Sequence, residues 1–197
     1  MRNIFVYITL CLFFICSCAR EVKSEGNVMA VENVKCGECA KLHQNVMAVE
    51  NEKSVKASSI EEYASQTAFL VGKPNDEYAA YFTGRSWLEI LNSSGAVVAN
   101  VTFEPGCRNN WHIHHGEMQI LIGVKGRGWL QIEGEEAKPI YEGDVFCIEP
   151  GVKHWHGAAK DSWFSHLSIS VAKANSSEKR GTNWLDVVDE TLYGKLK

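Results

Sequence analysis

No stripe of basic residues runs along this chain, whose 20 Lys and Arg stand against 24 Asp and Glu for a formal charge of −4. Polyanions are held by clustered cations that release counterions, so nucleic acid is excluded as a partner. An apolar run occupies 4–15 (IFVYITLCLFFI). It is shorter than the roughly 20 residues needed to cross a bilayer. No second C-x-x-C accompanies Cys36-Gly37-Glu38-Cys39, and His43 is the one further ligand type close by. Half a zinc site is therefore missing, and haem attachment fails because Ala40 stands where a His is required. The pair reads as incidental to a flexible segment, with a labile redox disulfide as its functional alternative. Nothing alternates strand with helix in the manner of a βαβ unit.

What the chain does contain is core material: 45% hydrophobic residues, six Trp, six Tyr and eight Phe in 197 residues. That suffices for one domain with flanking segments and excludes disorder throughout. Seven cysteines are many for a reduced cytosolic enzyme, yet too few and too scattered for a disulfide scaffold. Arg2, the apolar run and the switch to charge at Ala19-Arg20-Glu21 read as a cleaved signal over 1–18. Ile15-Cys16-Ser17-Cys18 resembles the bacterial lipobox. The resemblance implies acylation of Cys18 and a lipid-anchored, extracytoplasmic protein of the bacterial cell envelope, with the membrane touched through that anchor alone. A plain secretory signal, an uncleaved anchor and acylation at Cys16 are the alternatives.

Residues 19–57 read as a tether, in which the string NVMAVEN occurs at 27–33 and again at 45–51. Two copies are too few for a solenoid. A helical lead-in is expected over 58–84, because Ser58-Ser59-Ile60-Glu61-Glu62 offers a capping box followed by apolar residues at helical spacing. From 85 to 175 the pattern is many short strands, with candidates at 87–91, 96–103, 118–124, 128–132, 144–148 and 163–171, broken by Gly, Pro and Asn turns. Such spacing predicts an all-β sandwich or barrel. A C-terminal extension over 176–197 completes the chain.

Six of the seven histidines, His112, His114, His115, His154, His156 and His166, fall between 112 and 166. Residues two apart on a strand project from one face, so His112 with His114, and His154 with His156, form two imidazole pairs able to chelate a single ion. The surrounding spacing extends the pattern. Gly106, His112, His114, Gln119 and Gly126 lie in one stretch, and Gly143-Asp144, Glu149-Pro150-Gly151, His154 and Ala158 in a second.

These stretches resemble the two signature motifs of the cupin superfamily, which implies a single double-sheet jelly-roll barrel with short flanking helices around one metal site. On that resemblance His112, His114 and His154 are ligands of one divalent transition metal. Gln119 stands where most cupins carry a glutamate, and Glu117 is the alternative fourth ligand. Glu149 replaces a usual proline and Ala158 a usual asparagine. The strings around 101–112, 151–158, 161–166 and 184–189 are similar to small bacterial cupins associated with carboxymuconolactone decarboxylase-like proteins, and to manganese-dependent cupin hydroxynitrile lyases. The latter branch implies three His and one Gln as ligands and manganese as the favoured metal, with iron, nickel or zinc possible, and a proton-transferring histidine at His166.

His156 is expected to support the ligands from behind, and His115, of opposite parity, to point outward without a role. Trp111, Trp129, Trp155 and Trp163 read as barrel-wall packing, Asp144 as turn chemistry, and Cys107 and Cys147 as buried free thiols, a disulfide between them being the alternative. The expected function is lyase, decarboxylase or isomerase chemistry on a small organic molecule, with no further cofactor. A metal-dependent oxygenase and a non-catalytic small-molecule-binding lipoprotein are the alternatives. The family also implies a homodimer, for which 72–87 and 184–193 are candidate contacts.

Overall fold

A computed structural model describes residues 54–172 and 177–196. The signal-like segment with Cys16 and Cys18, nearly all of the duplicated tether, and Cys36, Cys39 and His43 lie outside the described residues.

The elements follow in chain order: helix α1 (Ile60–Ala64), strand β1 (Lys73–Pro74), a 3-10 turn (Asp76–Tyr81), β2 (Phe82–Thr83), β3 (Ser86–Asn92), β4 (Val97–Phe103), β5 (Arg108–Asn109), β6 (His112–His115), β7 (Glu117–Gly126), β8 (Gly128–Ile132), β9 (Lys138–Ile140), β10 (Val145–Ile148), β11 (Lys153–Ala158), β12 (Phe164–Ala172), β13 (Gly181–Trp184) and helix α2 (Glu190–Tyr193). The capping box is formed by Ser59, whose hydroxyl accepts from Glu62 N–H, while the Glu62 carboxylate reaches back to Ser58. The helix stops at Ala64 and does not extend to Thr67.

Two sheets face each other. One runs β1-β3-β4-β12-β7-β10; the second is built on β13-β6-β11-β5-β2, with β8 on the far side of β11 and β9 beside β8. Every pairing among the described strands is antiparallel. The sheets reach beyond 85–175 at both ends, because β1 and β2 join from the lead-in and β13 from the extension.

Alternation places the core. Along β7 every second side chain from Glu117 to Gly123 is buried, so Gln119 and Leu121 point between the sheets. Leu121, Phe103, Ile140 and Phe164 are fully buried there with Val101, Leu130 and Ile148. The outer face of the first sheet is covered by the lead-in, where Tyr63 stacks on Trp163 and packs with Trp87 and Val71. That cover explains why β4 is buried on both faces from Ala99 to Phe103. The outer face of the second sheet is covered by α2, with Tyr193 and Val188 against Trp129 and Trp155.

Candidate metal centre

β6 and β11 lie side by side in antiparallel register, with His154 directly opposite His112. Parity does the rest: His112 and His114 are buried on the inner face while Ile113 and His115 turn outward. One ligand-type nitrogen from each of His112, His114 and His154 lies within 4.8 Å of the others. Gln119 enters from β7 in the opposite sheet and brings Oε1 to 2.9 Å from His154 Nε2.

The backs of the rings are held. Nδ1 of His112 lies 2.9 Å from Asn110 O and Nδ1 of His154 lies 3.0 Å from Val152 O. A carbonyl only accepts, so Nδ1 carries the proton of His112 and leaves its Nε2 a lone pair; His154 meets a carbonyl oxygen at both nitrogens, and a cation would take the place of a proton on its Nε2. Nδ1 of His114 is 3.1 Å from Thr182 Oγ1, and its buried Nε2 makes no hydrogen bond of ordinary geometry. Burial, the main cause in each case, lowers the basicity of all three: His112 falls well below 6.5, His154 falls to about 4, and His114 falls with Glu117 and Gln119 opposing. Three uncharged imidazoles that bring ring nitrogens together, with Nε2 of His114 buried and unpartnered, fit a divalent cation.

Comparison with known proteins agrees with this geometry. Residues 99–169 match the cupin domain family. Over 119 residues the chain is 41% identical to the (R)-mandelonitrile lyase of Granulicella tundricola, a match that spans 58% of this chain and 87% of that protein. A cupin-like protein from Thermotoga maritima, known from its crystal structure, is 36% identical with a TM-score of 0.58, over 65% of this chain and 95% of that one. The chain belongs to the cupin superfamily.

The cupin barrel opens above the cluster into a cavity of about 180 Å³. His112, His114, Gln119 and His156 form its polar end, and Phe82, Leu88, Val101 and Trp184 its apolar walls. His156 therefore faces the cavity, whereas His166 does not line it. Fully buried between Phe103 and Phe164, His166 sits behind His156 with Nε2 3.1 Å from His156 Nδ1. Asn109 fixes His156 from the side: its Oδ1 accepts the His156 backbone N–H at 3.0 Å, and its Nδ2 lies 3.1 Å from Nε2. The amide nitrogen only donates, and it also lies 3.3 Å from Nδ1, so Asn109 and His166 hold the His156 ring on two sides whichever ring nitrogen carries the proton. Burial pushes His156 well below 6.5 and His166 to about 4, so both are uncharged at neutral pH.

Glu117 is not at the cluster's centre. Arg180 holds its carboxylate at 2.7 Å, and its other oxygen is 3.6 Å from Nδ1 of His114, on the ring's outer side. His115 pairs with Glu178 on the outside of β6. Cys107 is buried, but Cys147 is exposed, because β10 is an edge strand and Cys147 faces away from the sandwich; both thiols are free. Tyr141 N–H donates to Asp144 at 2.8 Å, closing the turn before β10. Trp129, Trp155 and Trp163 are buried in the wall packing, and Trp111 is half-buried.

A larger cavity, about 540 Å³, lies under α2 on the other face of the second sheet, walled by Trp111, Trp129 and Trp155. Of the two acidic residues that line it, Glu136 and Asp189, the second is engaged in capping α2. Size favours that cavity, but convergent ring nitrogens favour the histidine cavity, and chemistry follows the latter.

Four residues that the fold brings to the site are given no role there by the sequence pattern. Thr182 and Trp184 arrive on β13, in register with His114 and His112. Trp184 lies 4.9 Å from the His112 ring and stacks on Tyr81 at 4.7 Å. Asn109 and Ser168 complete the set, and Ser168 Oγ accepts from Gln119 Nε2 at 2.9 Å.

Proposed function

We propose that this cupin is a divalent-metal-dependent lyase that cleaves, and in reverse forms, the bond between the hydroxyl-bearing carbon and the nitrile carbon of a small hydroxynitrile. The observation that carries the reading is the convergence of His112, His114 and His154 within 4.8 Å at the end of an otherwise largely apolar cavity faced by His156. The 41% identical relative named as a mandelonitrile lyase supports the choice of substrate. The volume does too, since an apolar cavity of about 150 Å³ accepts a single benzene ring.

His112, His114, His154 and Gln119 would hold the ion, with manganese proposed among the metals that such nitrogen and amide-oxygen donors accept. When bound, the ion supplies Lewis acidity for negative charge developing on substrate oxygen. The protein's own part is proton handling. The uncharged His156 takes the hydroxyl proton, and its contact with His166, 3.1 Å between His156 Nδ1 and His166 Nε2, steadies the imidazolium formed. As the carbon–carbon bond breaks, its electron pair departs with cyanide, and His156 returns the proton to give hydrogen cyanide beside the aldehyde. Phe82, Leu88, Val101 and Trp184 exclude water from that exchange.

The test is to follow benzaldehyde release from each mandelonitrile enantiomer, using protein stripped by chelator and reloaded with manganese. Turnover is expected only with metal, faster for one enantiomer, and lowered roughly 100-fold or more in His156→Ala at unchanged metal content. Metal-loaded protein inert toward aromatic and aliphatic hydroxynitriles alike would refute the reading. We also propose acylation at Cys18, on the support of the lipobox-like Ile15-Cys16-Ser17-Cys18. Labelling with radioactive palmitate, absent from Cys18→Ala, tests it.

A further inference from the structure

Gln119 differs from the three histidines in one respect that matters for any cation. An imidazole presents its lone pair in a direction set by the ring, but the two ends of an amide have nearly the same shape, and a half-turn of the last torsion exchanges them. Only the oxygen end can bind a cation. Something must therefore hold that torsion, and the sequence around Gln119 supplies nothing local.

On the inner side, His154 does not fix that torsion in favour of a cation. Its Nδ1 is directed at Val152 O and its Nε2 lies 2.9 Å from Gln119 Oε1, so any proton on Nε2 would have to leave, exposing a lone pair, before the ring could face a cation. A lone pair attracts N–H and repels a carbonyl oxygen. Left to His154 alone, the amide would turn its nitrogen inward. On the far side Ser168 Oγ stands 2.9 Å from Gln119 Nε2 and offers an acceptor. Ser168 comes from β12, where it faces Ala99 of β4 and Leu121 of β7 across the ladder. Leu88, Ala99 and Val101 make that part of the cavity wall apolar, so its hydroxyl is a polar group on an apolar surface with Gln119 as its hydrogen-bond partner.

We propose that Ser168 is a positioning residue: it accepts the Gln119 N–H and thereby turns the amide oxygen toward the ion. The proposal rests on the metal reading above and deepens it.

The experiment is a calorimetric titration with manganese(II) of the chelator-stripped full chain, in four forms: unaltered, Ser168→Ala, Gln119→Glu and the double variant. Groups that orient a metal ligand from behind typically change metal affinity by about 10–100-fold. Ser168→Ala should weaken manganese binding by that factor with an unchanged melting temperature of the stripped protein. A carboxylate presents two equivalent oxygens and needs no hydrogen bond to choose between them, so in the Gln119→Glu background the same serine change should alter affinity by less than about threefold. Unchanged affinity in the single variant would overturn the proposal. Equal losses in both backgrounds would also overturn it, because the serine would then be acting through packing. Failure of the unaltered protein to bind manganese, zinc or iron would refute the metal reading itself, an outcome separate from either of these.

Discussion

Replacing His166 by Phe removes one buried imidazole from between Phe103 and Phe164, whose ring centroids lie 5.5 and 5.6 Å away, and puts in its place a ring that packs similarly. The consequence is read in the pH dependence of stability. Burial lowers the folded-state pKa of His166 from 6.5 to about 4. Between those values the unfolded chain binds the proton and the folded chain does not, so stability falls as pH falls through that window. At about 1.36 kcal/mol per pKa unit, the shift corresponds to roughly 3 kcal/mol lost between pH 6.5 and 4. Near pH 5 almost a full proton separates the two states at this site, which gives a slope of about 1.2 kcal/mol per pH unit. Urea unfolding of the chelator-stripped protein at half-unit steps from pH 7.5 to 4.5 measures the slope. His166→Phe should flatten it by about that amount near pH 5 and leave it unchanged above pH 7. A difference below about 0.3 kcal/mol per pH unit would show that His166 either titrates normally or is charged in the folded state.

Two further substitutions probe the frame and the cavity. Gly126 has φ +79, and a Cβ there would sit 1.8 Å from Trp163 O, so Gly126→Ala should destabilise by roughly 3 kcal/mol or more, read as a large fall in melting temperature. Trp184→Ala opens the cavity wall beside His112, and the KM for a hydroxynitrile substrate should rise roughly tenfold with a smaller change in kcat, as measured by steady-state kinetics.

The parts of this molecule that are legible in sequence are those governed by short spacings. The strands expected at 87–91, 96–103, 118–124 and 128–132 correspond to β3, β4, β7 and β8 within a residue or two, because alternation and turn residues act locally. The His-x-His pairs are equally local, and parity alone turns His112 and His114 inward and His115 outward. The places of Thr182 and Trp184 at the cluster are hidden for the opposite reason. They reach the cluster because β13 pairs with β6 across about seventy residues, and nothing in the string around 181–184 announces that partner. The relative depth of His156 and His166 escapes for a subtler cause. Alternation turns Phe164, His166 and Ser168 inward together, but depth along the inner face is not written in parity: His166 sits behind His156 of β11, which faces the cavity. Ser168, an ordinary strand serine, shows its relation to Gln119 only once the two strands are paired.

Charge at the centre separates this site from one built around a carboxylate. The proposed ligand set of three imidazoles, neutral because burial holds them below their ordinary range, and one amide contributes no charge. The carboxylate beside His114, that of Glu117, is turned to the ring's outer side and paired with Arg180 at 2.7 Å. A divalent ion held there would keep nearly its full charge, in a pocket whose apolar walls weaken screening. Such a centre favours reactions in which negative charge grows on an oxygen and departs on a leaving group, and the uncharged His156 beside it can hold a proton without a competing anion. Gln119→Glu would remove about one unit of that charge while keeping an oxygen donor. Manganese should then bind more tightly while hydroxynitrile turnover falls, and a variant that gained both would refute the electrostatic argument and leave the ligand geometry standing.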